Sequence, residues 1–149
     1  MSFSIICNSL NGTPTVANNN NDIYYFFDFG FASKHTGKFK LSFSFQTEGG
    51  MGLSNDILYL ATTLPVSYDN FSATSQSGSA KSQILGFIAP NKRDDYYFKH
   101  YLDSSPVILQ SIPSTQNQFQ VSLYNATTNA LDTTIGSKAY TLILYFEAI

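Results

Sequence analysis

The sequence has no tryptophan, one cysteine, five prolines and few charges among its 149 residues, and each scarcity narrows what the chain does. With Cys7 as the lone cysteine an internal disulfide is excluded, and the composition suits folding in a reducing compartment. Cys7 itself is expected in a strand as a small apolar residue rather than as a reactive thiol. Charged residues make up 12% of the chain, about half the roughly 25% of an ordinary soluble domain. The formal net charge is −2, and the eight Lys and Arg are dispersed apart from Lys92-Arg93. No basic stripe exists to neutralise a phosphate backbone, so no nucleic-acid partner is expected.

Long apolar runs are missing too. Nothing approaches the ~20 residues that a spanning helix needs, and Met1 to Asn8 lacks a basic region followed by an apolar stretch. No transmembrane segment is expected, and synthesis in the cytoplasm is. Without a secretory signal, Asn11-Gly-Thr, Asn70-Phe-Ser and Asn125-Ala-Thr read as chance glycosylation matches in an Asn/Ser/Thr-rich chain.

What is present is aromatic and neutral-polar: ten Tyr and thirteen Phe carry the bulk, and Ser, Thr, Asn and Gln stand where Lys and Glu usually do. Disorder is poorly supported, because such a chain holds enough apolar surface for a core. Aromatic residues suit pleated sheets, and an ordinary all-β core accounts for most of them. Interface cores are likewise depleted in charge and enriched in Tyr and Phe. A weakly charged sandwich also has little defence against edge-to-edge pairing unless its edges are covered or shared.

Periodicity gives the architecture. Lys38 to Gln46 alternates without a break, with Phe39, Leu41, Phe43 and Phe45 on one face and polar residues on the other, which is the signature of a half-buried strand. Further strands are expected at about Ser2 to Asn8, Ile23 to Phe31, Asp56 to Thr63, Gln83 to Ala89, Asp95 to Tyr101, Val107 to Ser111, Gln118 to Asn125 and Ala139 to Glu147. Asn18 to Asp22, Gly49 to Gly52, Ser75 to Ser79, Pro90 to Asp95 and Pro113 to Asn117 read as turns and loops between them. In the last strand Tyr140, Leu142, Leu144 and Phe146 face inward, while the opposite face, with Ile143 and Tyr145, is half apolar. That strand is therefore expected to be central or to lie against another subunit.

Roughly eight or nine antiparallel strands with no room for a crossover helix imply an all-β fold of two packed antiparallel sheets in one domain, residues 1–149. The candidates are a jelly roll, another Greek-key sandwich and a closed barrel, and the long polar stretch Ser67 to Ser82 favours the jelly roll.

No catalytic motif competes with this pattern. His35 lies in a turn and is expected to be solvated, His100 lies in an alternating run, and the His-x-His pair of a jelly-roll metal site is absent. No Gly-x-Ser-x-Gly elbow accompanies the abundant Ser, and Asp94 and Asp95, being adjacent, point to opposite faces of any strand. Gly49 to Gly52 precedes no helix and lacks the Lys-Ser/Thr of a phosphate cradle. Asn19 to Asp22 offers one carboxylate among asparagines, a poor calcium site. No catalytic residue, cofactor or metal is assigned. The Tyr-rich runs Tyr24 to Phe27 and Tyr96 to Tyr101 combine apolar area with hydroxyls, which suits sugar stacking or a protein interface. Tyr96, Tyr97, Tyr101, Ile143 and Tyr145 are the candidate interface residues.

An N-terminal strand running into Asn8-Ser-Leu-Asn-Gly12, the strand Gly37-Lys-Phe-Lys-Leu-Ser-Phe-Ser-Phe45, Ser105-Pro-Val-Ile-Leu109 before Gln116-Asn-Gln-Phe-Gln-Val-Ser-Leu123, and the terminal Tyr140-Thr-Leu-Ile-Leu-Tyr-Phe-Glu147 together resemble the single jelly-roll minor capsid and penton proteins of large icosahedral double-stranded DNA viruses. The resemblance spans nearly the whole chain and rests on strand order and texture. It implies a non-enzymatic shell protein, located in the virion, whose partners are copies of itself in a trimer or pentamer and other capsid proteins. The alternative from composition is a carbohydrate- or receptor-binding sandwich; a hydrolase or metal-dependent enzyme on the same scaffold ranks third.

Overall fold

Alternating side chains become two facing sheets because each strand has one apolar side to bury and only another sheet to bury it against. The computed structural model describes residues 2–28, 30–47, 57–67, 83–90, 98–100 and 106–149. Eleven strand segments occur among them: β1 (Ser2–Asn8), β2 (Thr13–Val16), β3 (Asn19–Phe26), β4 (Phe39–Thr47), β5 (Leu58–Thr62), β6 (Ile84–Pro90), β7 (Phe98–His100), β8 (Val107–Leu109), β9 (Gln118–Asn125), β10 (Ala130–Leu131) and β11 (Tyr140–Ala148). A 3-10 turn, Ser9–Asn11, and a single helical turn, α1 (Phe31–Lys34), complete the elements.

Every strand pair is antiparallel. In the first sheet β11 lies between β1 and β4, and the far side of β4 takes β8 along Phe39 to Leu41 and β7 at Phe45 and Gln46. In the second, β2, β3, β9, β5 and β6 follow one another, with the short β10 beside the end of β9. Sequence-adjacent strands mostly lie in opposite sheets, and the order β1-β11-β4-β8 facing β3-β9-β5-β6 is the double Greek key of a jelly roll. β6 pairs with both β5 and β7, so the two sheets are joined along one side.

The core forms between the sheets. Leu41, Phe43, Phe45, Leu142, Leu144 and Phe146 of one sheet meet Ile23, Tyr25, Leu58, Leu60, Phe119, Val121 and Leu123 of the other, all buried. Each such side chain contributes about 1.5–3 kcal/mol on leaving water. Between the layers, the Tyr25 hydroxyl donates to that of Tyr140 at 2.8 Å. This bond satisfies two hydroxyls that the apolar surroundings would otherwise strand.

The observed strands exceed the expected number because two short ones, β2 and β10, carry weak patterns: one contains Pro14 and the other has two residues. The larger correction is at the asparagine run. Residues 19–22 form the first half of β3, not a loop, and β3 ends at Phe26 rather than at Phe31. The turn is confined to the two residues between the paired Val16 and Asn19, with Asn18 at φ 60°. Asparagine is depleted in strands, but here tertiary hydrogen bonds compensate: Asn20 Nδ2 donates to the Lys138 carbonyl at 2.7 Å and Asn21 Nδ2 to the Asp132 carbonyl at 2.8 Å. After Phe26 the chain turns through Gly30, at φ 74°, into α1, where Phe31 stacks on Phe27 at 4.6 Å. Residues 49–52, 68–82 and 91–95 lie outside the described residues. No helix among the described residues is long and apolar enough to cross a membrane.

Candidate functional site

β11 is central in its sheet, and its outward side chains carry the outer face. Strand register builds that face in rows: Ser4, Tyr145 and Ser42; Ile6, Ile143 and Ser44; Asn8, Thr141 and Gln46. Among the described residues of β1, β11 and β4, charge enters at one end, where Glu147 lies opposite Lys40, and at the other end β7 pairs Lys99 with Gln46. Ile143 and Tyr145 are half-buried by neighbours in their own sheet, and Tyr145 Oη lies 3.4 Å from Ser44 Oγ in a shared hydrogen bond. Asn8 Nδ2 donates to Thr141 Oγ1 at 3.2 Å. The polar groups of this face thus partly satisfy one another, which lowers the cost of covering it. A shallow depression of about 470 Å³ at the charged end is bordered by Ser4, Ser42, Tyr145 and Glu147.

Of the sequence-derived interface residues, Ile143 and Tyr145 share this face, while Tyr96, Tyr97 and Tyr101 lie outside the described residues. Asp94 and Asp95 lie outside them as well. His100 falls in β7, as its alternating run implies.

The outer face of the second sheet holds a cluster that sequence reasoning missed. Asp22 Oδ1 accepts from Ser122 Oγ at 2.8 Å and from Gln120 Nε2, and its Oδ2 accepts from Thr15 Oγ1 at 3.2 Å. Beside it Tyr124 stacks on the buried Tyr59, with ring centroids 5.3 Å apart. Burial, and then the nearby Asp22 charge, raise the Tyr124 hydroxyl above the usual tyrosine range. A depression of about 190 Å³ is lined by Thr63, Gln83, Gln120, Ser122 and Tyr124. The partners of Asp22 on β9 are about a hundred positions away, so only the residue types, and not their convergence, are visible in the sequence.

His35 is not the solvated turn residue expected. Its ring lies 4.3 Å from that of Phe3 and 4.7 Å from that of Phe31, and its Nδ1 is buried without a hydrogen-bond partner. The aromatic residues that pull it in come from β1 and α1, remote in sequence for Phe3 and adjacent for Phe31. Cys7 faces the core, 1% exposed, and burial pushes its thiol up to about 12, so it stays protonated and a poor nucleophile near neutrality. Among the described residues no three His, Cys, Asp or Glu side chains converge as a metal would require. Compared with known proteins, the chain matches no family model and no curated sequence.

Proposed function

We propose that this chain is a non-enzymatic structural protein of a virus particle, a minor capsid or penton subunit of a large double-stranded DNA virus. In this reading it acts by burying neutral, aromatic-containing surface against copies of itself and other shell proteins. One observation carries it: on a jelly roll, the described outer face around Ile143 and Tyr145 holds no charged residue between Glu147 and Lys40 at one end and Lys99, paired with Gln46, at the other. Such a face is cheap to desolvate, and stable contacts of this kind bury ~1,600 Å² or more. Antibody labelling of intact particles, with the bound position mapped to vertex or facet, tests the assignment. Labelling at either place is the expected result. Absence from purified particles, together with a monodisperse monomer at high concentration, would overturn it.

A second reading, a carbohydrate-binding sandwich, is favoured by the Asp22, Gln120 and Ser122 cluster beside Tyr124. A fixed carboxylate, amide and hydroxyl next to an aromatic ring are the groups that hold sugar hydroxyls and a sugar's apolar face. Reproducible binding on a glycan array, abolished by Asp22→Ala, supports this reading; an array without such a hit removes it.

A further inference from the structure

The two outermost strands of this sandwich are built differently. β2 is short, contains Pro14 and has a register shift between Pro14 and Val16, all features that blunt an edge against pairing. β1 has none of them. Its seven residues, Ser-Phe-Ser-Ile-Ile-Cys-Asn, pair with β11 in unbroken register from Ser2 to Asn8, and no strand among the described residues pairs with its other side. It carries no charge, proline or glycine. Beside it runs a groove of about 270 Å³ between the sheet edges, lined by Ile5, Ile6, Tyr25, Phe26, Phe31 and Phe119. Ile6 is 68% and Phe26 67% exposed at its rim, and Leu10, just past the strand, is 73% exposed. Undefended backbone and exposed apolar side chains therefore coincide on one side of the molecule.

We infer that β1 is a strand-addition site and that its occupant is β1 of a second copy, paired antiparallel about a two-fold axis through Ile5. A two-fold contact is isologous, so the same strand must tolerate itself. Any charge on β1 would meet its own kind across or near the axis, and β1 has none. Centring on Ile5 uses all seven residues: Ser2 faces the partner's Asn8, Phe3 the partner's Cys7, Ser4 the partner's Ile6, and Ile5 its own copy. The pairing satisfies the open backbone groups of both strands and brings the two grooves together, covering Ile6. It joins the two first sheets into one continuous sheet across the axis. The inference names a contact for the self-association in the shell-subunit reading and does not depend on where the protein resides.

Sedimentation and cross-linking test it. The wild-type chain is expected to reach twice its 16.5 kDa mass in a concentration-dependent manner. Ile6→Lys, at an exposed position that leaves the core intact, is expected to weaken dimerisation at least about tenfold through edge charge, with an unchanged melting temperature at concentrations where both chains are monomeric. Ile5→Cys is expected to cross-link to its own copy with a short bis-maleimide, because directly opposed residues lie about 5 Å apart. Ser2→Cys, displaced by about 20 Å in this register, is not; the buried, protonated Cys7 does not compete. Oligomers that survive Ile6→Lys, or a dimer in which the Ser2→Cys variant links as readily as the Ile5→Cys variant, would sink β1 pairing while leaving the shell reading standing. A dimer lost in Ile6→Lys, from a protein absent from particles, would keep the pairing and remove the shell reading. A wild-type chain that stays monomeric at every concentration overturns the pairing.

Discussion

At His35 an imidazole ring is packed as if it were a phenylalanine, between Phe3 and Phe31, with Nδ1 buried and unpartnered. A stranded polar atom of this kind costs about 1–3 kcal/mol. His35→Phe keeps the ring contacts and removes the polar atom, so it is expected to raise stability by about 1 kcal/mol in urea unfolding; a loss of that size would refute the packing account. The inner tyrosines give the opposite case. Tyr25→Phe leaves the Tyr140 hydroxyl without its 2.8 Å partner, at an expected cost of about 1–3 kcal/mol. Removing both hydroxyls is expected to cost less than the sum of the single changes, a coupling of about 1 kcal/mol in a double-mutant cycle. Strictly additive losses would show that the two hydroxyls do not depend on each other. Tyr140 was legible as an inward residue from its alternation, but its partner 115 positions away was not.

Elements show where local pattern yields to packing. Gly12 ends the 3-10 turn with an extended backbone at φ −100°, so freedom of φ is not what demands glycine there. Space is: a Cβ would come within 2.2 Å of Ile23 Cγ2 and 2.8 Å of Tyr25 Cε1. Both neighbours are buried in β3, so Gly12→Ala is expected to destabilise by about 1–3 kcal/mol through overpacking, read as a lower urea midpoint at unchanged slope. The approach to β11 is organised by Asp132, 1% exposed, whose Oδ2 accepts from the Ile135 N–H at 3.0 Å and from Thr134 Oγ1 at 2.7 Å. That this aspartate is sealed inside, with its carbonyl bound by Asn21 of β3, is not visible in the sequence. The asparagines of β3 were misread for the same reason. Propensity counts what a residue does alone, and these are held in a strand by partners elsewhere in the fold.

Across the whole molecule, one core holds several groups protonated. Burial pushes the Cys7 thiol up to about 12, and it carries the Tyr25 and Tyr140 hydroxyls above the ordinary tyrosine range, with Tyr140 raised further by Tyr25. In the unfolded chain a thiol loses its proton near 8.5 and a tyrosine near 10. Above those values the folded state binds more protons than the unfolded one, so stability falls as pH rises. The contribution of Cys7 is complete below about pH 8.5 and lost by about pH 12, with the tyrosines steepening the fall above about pH 10. Unfolding free energies from urea titrations across the alkaline range are expected to decline by about 1.4 kcal/mol per pH unit for each group engaged. Cys7→Ala is expected to flatten the first part of that decline. A flat profile up to about pH 11 would mean that these groups are not buried as described.

Alternation of apolar and polar side chains determined, from the sequence alone, that the protein is all-β, which strand faces turn inward and how little charge is left for its surface. These are legible because side-chain direction in a strand repeats every two residues and needs no knowledge of neighbours. Tertiary structure decided the rest: that β11 lies between β1 and β4, that Asp22 meets Gln120 and Ser122, that His35 is packed between two phenylalanines, and that β1 rather than β2 has the undefended edge. Each of these depends on which distant strands become adjacent. In a Greek-key fold that choice is made by the joint burial of two sheets, and no single strand's pattern contains it.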